Sequence, residues 1–301
     1  MSSLYILLLI WSIPLVLAKK DPLYTHLPPY KNNKFPAPFT SADFDRFPMH
    51  PLPSTKPPKV KHQQLSLQTA SSGDYVIANV LTVENPIDSI RILPPPGGCG
   101  TLSSVLESNK FYNCSHGFNG GFFDMVQGFC IGYLVSNSRF VNSQGTGNSL
   151  FGLTSDNHFV SGYLDDPTIK KDGITWLVRK GEVYIEESIA KEKPSSSFVN
   201  LIAPRVAVGH DIDGRLIMVA VDGFEPLKYG IDLYDFAILC KDLGMVSSVN
   251  LDGGGSLSAI INSRIRNSCS DGCTEEKNEL CPIPFGGSKC LRKVSSFVCI
   301  G

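Results

Sequence analysis

The chain has 301 residues, with 27 Lys+Arg against 28 Asp+Glu, a net charge of −1 and only 18% charged residues. That balance excludes the basic footprint of a nucleic-acid binder and the polybasic patch of a membrane-surface protein. A hydrophobic fraction of 42%, with 10% aromatic residues, supplies a real core, and the length allows one large domain or two small ones.

The apolar stretch from Leu4 to Leu17 is closed by Val16-Leu17-Ala18 and reads as a signal peptide over residues 1–18. No later stretch is apolar enough to span a bilayer, so a mature chain without a transmembrane anchor is expected, in the secretory lumen or secreted. Residues 19–64 are crowded with proline and read as a propeptide or an extended arm lying on the domain that follows. From Leu65 the texture changes, and 65–301 reads as one folded unit. Tyr75–Val83 and Ser89–Leu93 are expected strands. Pro94–Gly100 is a sharp loop, and Thr101–Lys110 has a short helical pattern. His116-Gly-Phe-Asn119-Gly120-Gly121 is a Gly-Gly turn with an amide before it. Trp176 to Ile185 reads as a hairpin turning at Lys180-Gly181, and Arg205–Gly209 with Arg215–Val221 as another turning at Asp213-Gly214. A helix is expected over 232–243, capped by Asp232 and ended by Gly244. Strands at Met245–Leu251 and Leu257–Ile261 follow. Many strands and few helices in one run predict an α+β fold: a single β-rich, mixed-sheet domain with a few helices.

Nine cysteines fit an oxidising compartment, and the odd count leaves at least one unpaired. Cys240 is the expected free thiol, because it shares a helical face with Leu233, Phe236, Ala237 and Leu243 and so points into the core. Cys269, Cys273, Cys281, Cys290 and Cys299 match no zinc spacing and have no histidine nearby. Disulfides are expected there, with no metal and no cofactor. Asn113-Cys114-Ser115 is a glycosylation sequon.

The apolar strand Met245–Leu251 runs into Asp252-Gly253-Gly254-Gly255-Ser256. Consecutive glycines disfavour helix and strand, so the backbone there passes close to something or adopts positive φ. The corner is either a tight turn capped by its acid or one wall of a site that offers backbone N–H groups to an anion. No Walker or dinucleotide motif is present, and Ser256 is not in a nucleophile elbow. Asp211-Ile-Asp213-Gly214 reads as a hairpin turn rather than a calcium loop, which would need a third acid and a closing Glu. Arg205, entering a buried strand after Pro204, is either an ion-pair anchor or an anion clamp.

Asn119-Gly-Gly-Phe-Phe123, Arg205-Val-Ala-Val-Gly-His-Asp211, Asp222-Gly223 and Val249-Asn-Leu-Asp-Gly-Gly-Gly-Ser256 occur in an order and spacing that resembles the phosphodiester glycosidase family, over roughly Tyr75 to Cys299. The resemblance implies a hydrolase that removes an N-acetylglucosamine covering a phosphodiester on mannose, exposing mannose 6-phosphate for lysosomal targeting. Phosphorylated high-mannose glycoproteins or small GlcNAc-phosphodiesters would be its partners, in the Golgi lumen or outside the cell. Homo-oligomerisation is left open. By the same resemblance Asp252 is base or nucleophile, and Arg205 binds phosphate. Gly120, Gly121, Gly253, Gly254 and Gly255 bring backbone N–H groups close. Asn119 and Ser256 bind substrate hydroxyls or the acetamido group, with Asp222 and His210 as secondary candidates. The implied disulfides are Cys99–Cys130 and Cys114–Cys299, with Cys269–Cys290 and Cys273–Cys281 completing the tail. A glycosidase of other specificity, acting for example on nucleotide sugars, and a non-catalytic glycan-binding protein are the rival readings.

Overall fold

The computed structural model describes residues 44–51, 57–136, 139–142, 149–163, 175–273, 281 and 289–301. The expected signal peptide and residues 19–43 of the expected arm lie outside them. In chain order the elements begin with strands β1 (Phe44–Pro48), β2 (Val60–Gln68), β3 (Tyr75–Val83) and β4 (Ile90–Leu93), helix α1 (Val105–Tyr112) and strand β5 (His116–Asn119). Strands β6 (Leu134–Ser136), β7 (Arg139–Asn142), β8 (Leu150–Leu153), β9 (His158–Gly162), β10 (Trp176–Arg179) and β11 (Glu182–Val183) follow. Helices α2 (Ile185–Glu192) and α3 (Ser196–Val199) precede β12 (Arg205–Asp211), β13 (Leu216–Val221), α4 (Leu233–Asp242) and β14 (Met245–Asn250). Short strands β15 (Ala259–Ile261), β16 (Arg264–Ile265), β17 (Asp271–Gly272) and β18 (Lys289–Cys290) lead to β19 (Phe297–Ile300).

A seven-stranded sheet has the order β11-β10-β14-β12-β13-β3-β2, and a five-stranded sheet the order β16-β15-β5-β19-β4. The α+β, β-rich class stands, but each pairing within these sheets is antiparallel rather than mixed. Period-two alternation explains how the large sheet is used. Ile217, Val219 and Val221 of β13 join a core with Leu233, Phe236 and Cys240 of α4. Leu216, Met218 and Ala220 join a second core with Phe118 and Val298 of the smaller sheet. Both faces of β13 are therefore buried, which is why its sequence is one unbroken apolar run. The outer face of the smaller sheet is closed by Val105 and Leu106 of α1 and by Leu291 and Val294 of the tail. The layers run helices, large sheet, small sheet, then α1 with the cysteine-rich tail.

Local signals fix the helix ends. In α1 the Ser104 hydroxyl accepts the Glu107 N–H at 3.1 Å, while the Glu107 carboxylate accepts the Ser104 N–H at 3.0 Å. In α4 the Asp232 carboxylate accepts the Asp235 N–H at 2.8 Å, and Gly244, at φ +83°, follows the last turn. Cys240 is free and fully buried, and burial pushes its thiol up to about 12.

The expected arm is partly woven into the sheets. β2 begins at Val60, ahead of the boundary expected at 65, and pairs with β3 along its whole length. β1 pairs antiparallel with β9 in a three-stranded sheet completed by β8. Cys99 pairs with Cys130 and Cys114 with Cys299. The tail departs from the implied Cys269–Cys290 and Cys273–Cys281: it pairs Cys269 with Cys281 and Cys273 with Cys290. Asp271 lies opposite Cys290 and Gly272 opposite Lys289, which puts both Cys269 and Cys273 two residues from the position facing Cys290, and Cys273 is the one bonded to it.

Candidate active site

Strand register assembles the site. β12 lies between β13 and β14, with Arg205 opposite Val221 and Ala207 opposite Asn250. Arg205, Asp222 and Asp252 therefore collect at one end of the large sheet. Residues 119–121 at the end of β5 meet them, because the Asp252 N–H donates to the Gly120 carbonyl at 3.1 Å.

The Asp252 carboxyl is half-buried. Its Oδ1 accepts the Gly253 N–H at 2.9 Å, and Ser256 also hydrogen-bonds it. Burial pushes its pKa up to about 6; the Ser256 bond, the charge of Arg292 and the Gly253 N–H pull it down, and Glu225 pushes it further up. An acid poised there changes protonation near neutral pH, the condition for a general base or nucleophile.

Arg205 is 3% exposed. Its Nη2 donates to the carbonyls of Phe198 at 2.9 Å and Leu201 at 2.8 Å, and Nε to that of Ile231 at 3.4 Å. Burial lowers its pKa to about 10, opposed by Glu225, Asp232 and Asp252, so it stays cationic at neutral pH. Its Cζ lies 5.0 Å from the Phe198 ring centroid. A fixed guanidinium near a reactive carboxyl suits a phosphate-bearing ligand.

Each glycine of the corner has its own reason. A Cβ at Gly253 would collide with the Pro204 carbonyl, one at Gly254 with the Glu225 carboxylate, and one at Gly255 with the Arg292 guanidinium. Most of their N–H groups are already used: Gly253 donates to Asp252, and Gly254 to Pro204 O at 2.9 Å. Gly120 and Gly121 likewise donate to Ser296, through its carbonyl at 2.9 Å and its hydroxyl at 3.1 Å. The glycines thus admit charged side chains more than they present a cradle of N–H donors. Glu225 and Arg292 are the residues that sequence reasoning missed. Arg292 donates from Nε to Asp271 Oδ2 at 2.8 Å and from Nη1 to the fully buried Ser256 hydroxyl at 3.4 Å.

Asn119 is completely buried, and both ends of its amide are engaged. Nδ2 donates to the Asp252 carbonyl at 2.6 Å, and Oδ1 accepts the Ser258 N–H at 3.0 Å. Asp222, 4% exposed, accepts the Ser268 N–H and hydroxyl, each at 3.2 Å, and burial raises its pKa to about 7. His210 is not in the site. Five residues along β12 from Arg205, it lies about 17 Å away at the strand rise, stacked on Phe47 at 4.6 Å and Phe159 at 5.2 Å. Burial lowers its pKa to about 4, so it is a neutral core residue. The nearby Asp211–Gly214 segment is a hairpin turn, with Asp211 accepting the Asp213 and Arg215 N–H groups and pairing with Arg215 at 2.6 Å. Asn113 is exposed and left-handed at the end of α1, followed by the disulfide-bonded Cys114.

An ionisable carboxyl under the charge of Arg292 lies at the same end of the large sheet as the Arg205 guanidinium, and comparison with known proteins gives the chain's class as a glycoside-cleaving hydrolase. The family model "Phosphodiester glycosidase" matches residues 112–281. The chain belongs to that family. It is 34% identical to human N-acetylglucosamine-1-phosphodiester α-N-acetylglucosaminidase over 249 residues, 75% of this chain and 46% of that protein. It is 32% identical to the mouse protein of the same name over 272 residues, 83% of this chain and 50% of that one. The chain thus spans about half the length of the curated relatives it matches. The solved zebrafish catalytic domain of the same name, auto-inhibited by its pro-peptide, superposes with a TM-score of 0.73 at 31% identity, covering 86% of this chain and 88% of that one. Four disulfides place the chain in an oxidising, secretory or extracellular compartment. No described helix is long and apolar enough to cross a membrane.

Proposed function

We propose that the protein removes α-linked N-acetylglucosamine from GlcNAc-1-phospho-6-mannose diesters on glycoproteins, exposing mannose 6-phosphate for lysosomal targeting, in the Golgi lumen or after secretion. The observation that supports the reading is the Asp252 carboxyl at the same end of the large sheet as the buried cation Arg205, with Arg292 joined to its partner Ser256. Phosphate is a good leaving group, so cleavage at the anomeric carbon needs less proton donation than an ordinary glycoside and more stabilisation of charge. Arg205 pairs with the phosphate, and Arg292 lies within reach of the same charge. Asp252 acts as base or nucleophile at the sugar, with Ser256 and Asn119 holding it in place. The relatives' names point to the same substrate. By analogy with the zebrafish domain, residues of the arm before Val60 serve as an inhibitory segment in this chain.

The test is incubation of the secreted protein with GlcNAc-1-phospho-6-mannose and assay of free N-acetylglucosamine. Release by the wild type and none by Asp252→Asn is expected. Equal release by the variant would overturn the assignment. Running the reaction in 18O-labelled water, with label sought in sugar or phosphate, decides between C1–O and P–O cleavage.

A further inference from the structure

Between the two large sheets lies a cleft of about 100 Å3, and among the described residues its wall carries no charged side chain. Ile92 and Val298 of the smaller sheet, Val249 of the larger and Leu150 of β8 form its body, while Phe122 and Ile131 form the lip. Gly120, Gly121 and Leu251 also border it, so it opens directly beside the Asp252 corner. A second link runs through aromatic rings. Phe122 meets Phe198 edge-on at 5.9 Å between centroids, and Phe198 covers the Arg205 guanidinium.

The lip is a rigid hairpin. The Ile131 N–H donates to Phe122 O at 2.9 Å and the Asp124 N–H to Phe129 O at 2.8 Å, and the Cys99–Cys130 disulfide anchors its base. The Asp124 carboxylate accepts the Val126 and Gln127 N–H groups, each at 2.8 Å, which fixes the tip. Apolar surface continues along it, because Met125 is 66% and Val126 94% exposed. Tyr133, Ser149 and Ser296 can meet a few of the hydroxyls that mannose presents, and the apolar remainder of the wall leaves the others unpaired. A hydrocarbon chain meets this lining without that cost.

We propose that the cleft binds an apolar chain on the leaving group, so that the enzyme also hydrolyses sugar phosphodiesters of long-chain alcohols. The inference rests on the phosphodiester-cleaving role of the Asp252 site. Water supplies hydroxyl to the anomeric carbon, the C1–O bond breaks, and the alkyl phosphate leaves with the electron pair while the remaining proton goes to solvent. The chain stays in the cleft and the phosphate at Arg205.

The experiment is steady-state hydrolysis of the methyl, butyl and octyl diesters of α-N-acetylglucosamine 1-phosphate, each below its micellar concentration. KM is expected to fall roughly three- to fourfold per buried methylene until the cleft is filled. In Ile131→Glu, at a lip position that is 37% exposed and so tolerates the change, the octyl-to-methyl ratio of kcat/KM should collapse towards one. Turnover of the methyl diester with no chain-length trend, or a ratio unmoved by Ile131→Glu, overturns the inference and leaves the activity standing. No release from any diester, GlcNAc-1-phospho-6-mannose included, overturns both.

Discussion

Asn119 grips Asp252 by the backbone: the amide donates to the Asp252 carbonyl at 2.6 Å and leaves the carboxyl to Gly253 and Ser256. Because the other end of the amide holds Ser258, Asn119 joins the site corner to β15 across the end of β5. In Asn119→Ala a buried carbonyl and a buried N–H lose their partners, at about 1–3 kcal/mol each. The expected result is a lower melting temperature with kcat reduced and KM little changed. A raised KM at unchanged melting temperature would instead mark Asn119 as a substrate-binding residue.

The acid limb of the pH–rate profile should report Asp252. If its ionised form acts, kcat/KM rises with pH and levels off above about 6. Two neighbours move that limb in opposite directions. Arg292 holds the carboxyl down, so Arg292→Met should shift the limb to higher pH; Glu225 pushes it up, so Glu225→Gln should shift it lower. Shifts in the same direction would rule out this electrostatic picture.

His210 and Phe47 should matter for stability alone. Phe47 is 9% exposed and stacks on His210, so Phe47→Ala should cost about 3 kcal/mol. The folded enzyme should keep its kcat and KM. Loss of activity without loss of stability would return His210 to the site.

Buried acids and buried histidines should pull stability in opposite directions below neutral pH. Burial raises Glu192 and Asp222 to about 7, so the native state holds protons that the unfolded chain releases, and this stabilisation disappears as pH rises through about 7. His116 and His210, lowered to about 4 by burial, act in the opposite sense: their contribution is present above 6.5 and lost as pH falls towards 4. In Glu192→Gln the melting temperature measured by calorimetry should therefore fall less between pH 4.5 and about 7 than it does in the wild type. An unchanged slope over that range would count against the assignment.

Much of this was legible beforehand because periodicity and caps are local. β3 follows its expected limits, the Lys180-Gly181 and Asp213-Gly214 hairpins form, and α4 starts from Asp232 and buries Cys240. β5 was hidden because His116–Asn119 is short, contains a glycine and resembles the turn it leads into. α2 was hidden because only Ile185 and Ile189 mark its apolar face, while the Ser188 and Glu192 that it also buries read as solvated positions. The Asp252 corner was visible from its glycines, but its charged neighbours were not. Glu225 and Arg292 belong to no motif in the sequence, and only three-dimensional closeness to Gly254 and Gly255 brings them to the site. His210 was misplaced because a family motif runs through it, whereas strand geometry carries it to the opposite end of β12.

The position of β19 also dictates the order of assembly. It lies between β5 and β4, and Cys299 reaches back over 185 residues to Cys114. The strand that carries Asn119 must therefore wait through the synthesis of nearly all the intervening chain before its missing neighbour arrives. Until then β5 has β15 at one edge and nothing at the other, so the candidate pocket is completed late, once β19 is in place and an oxidant closes Cys114–Cys299.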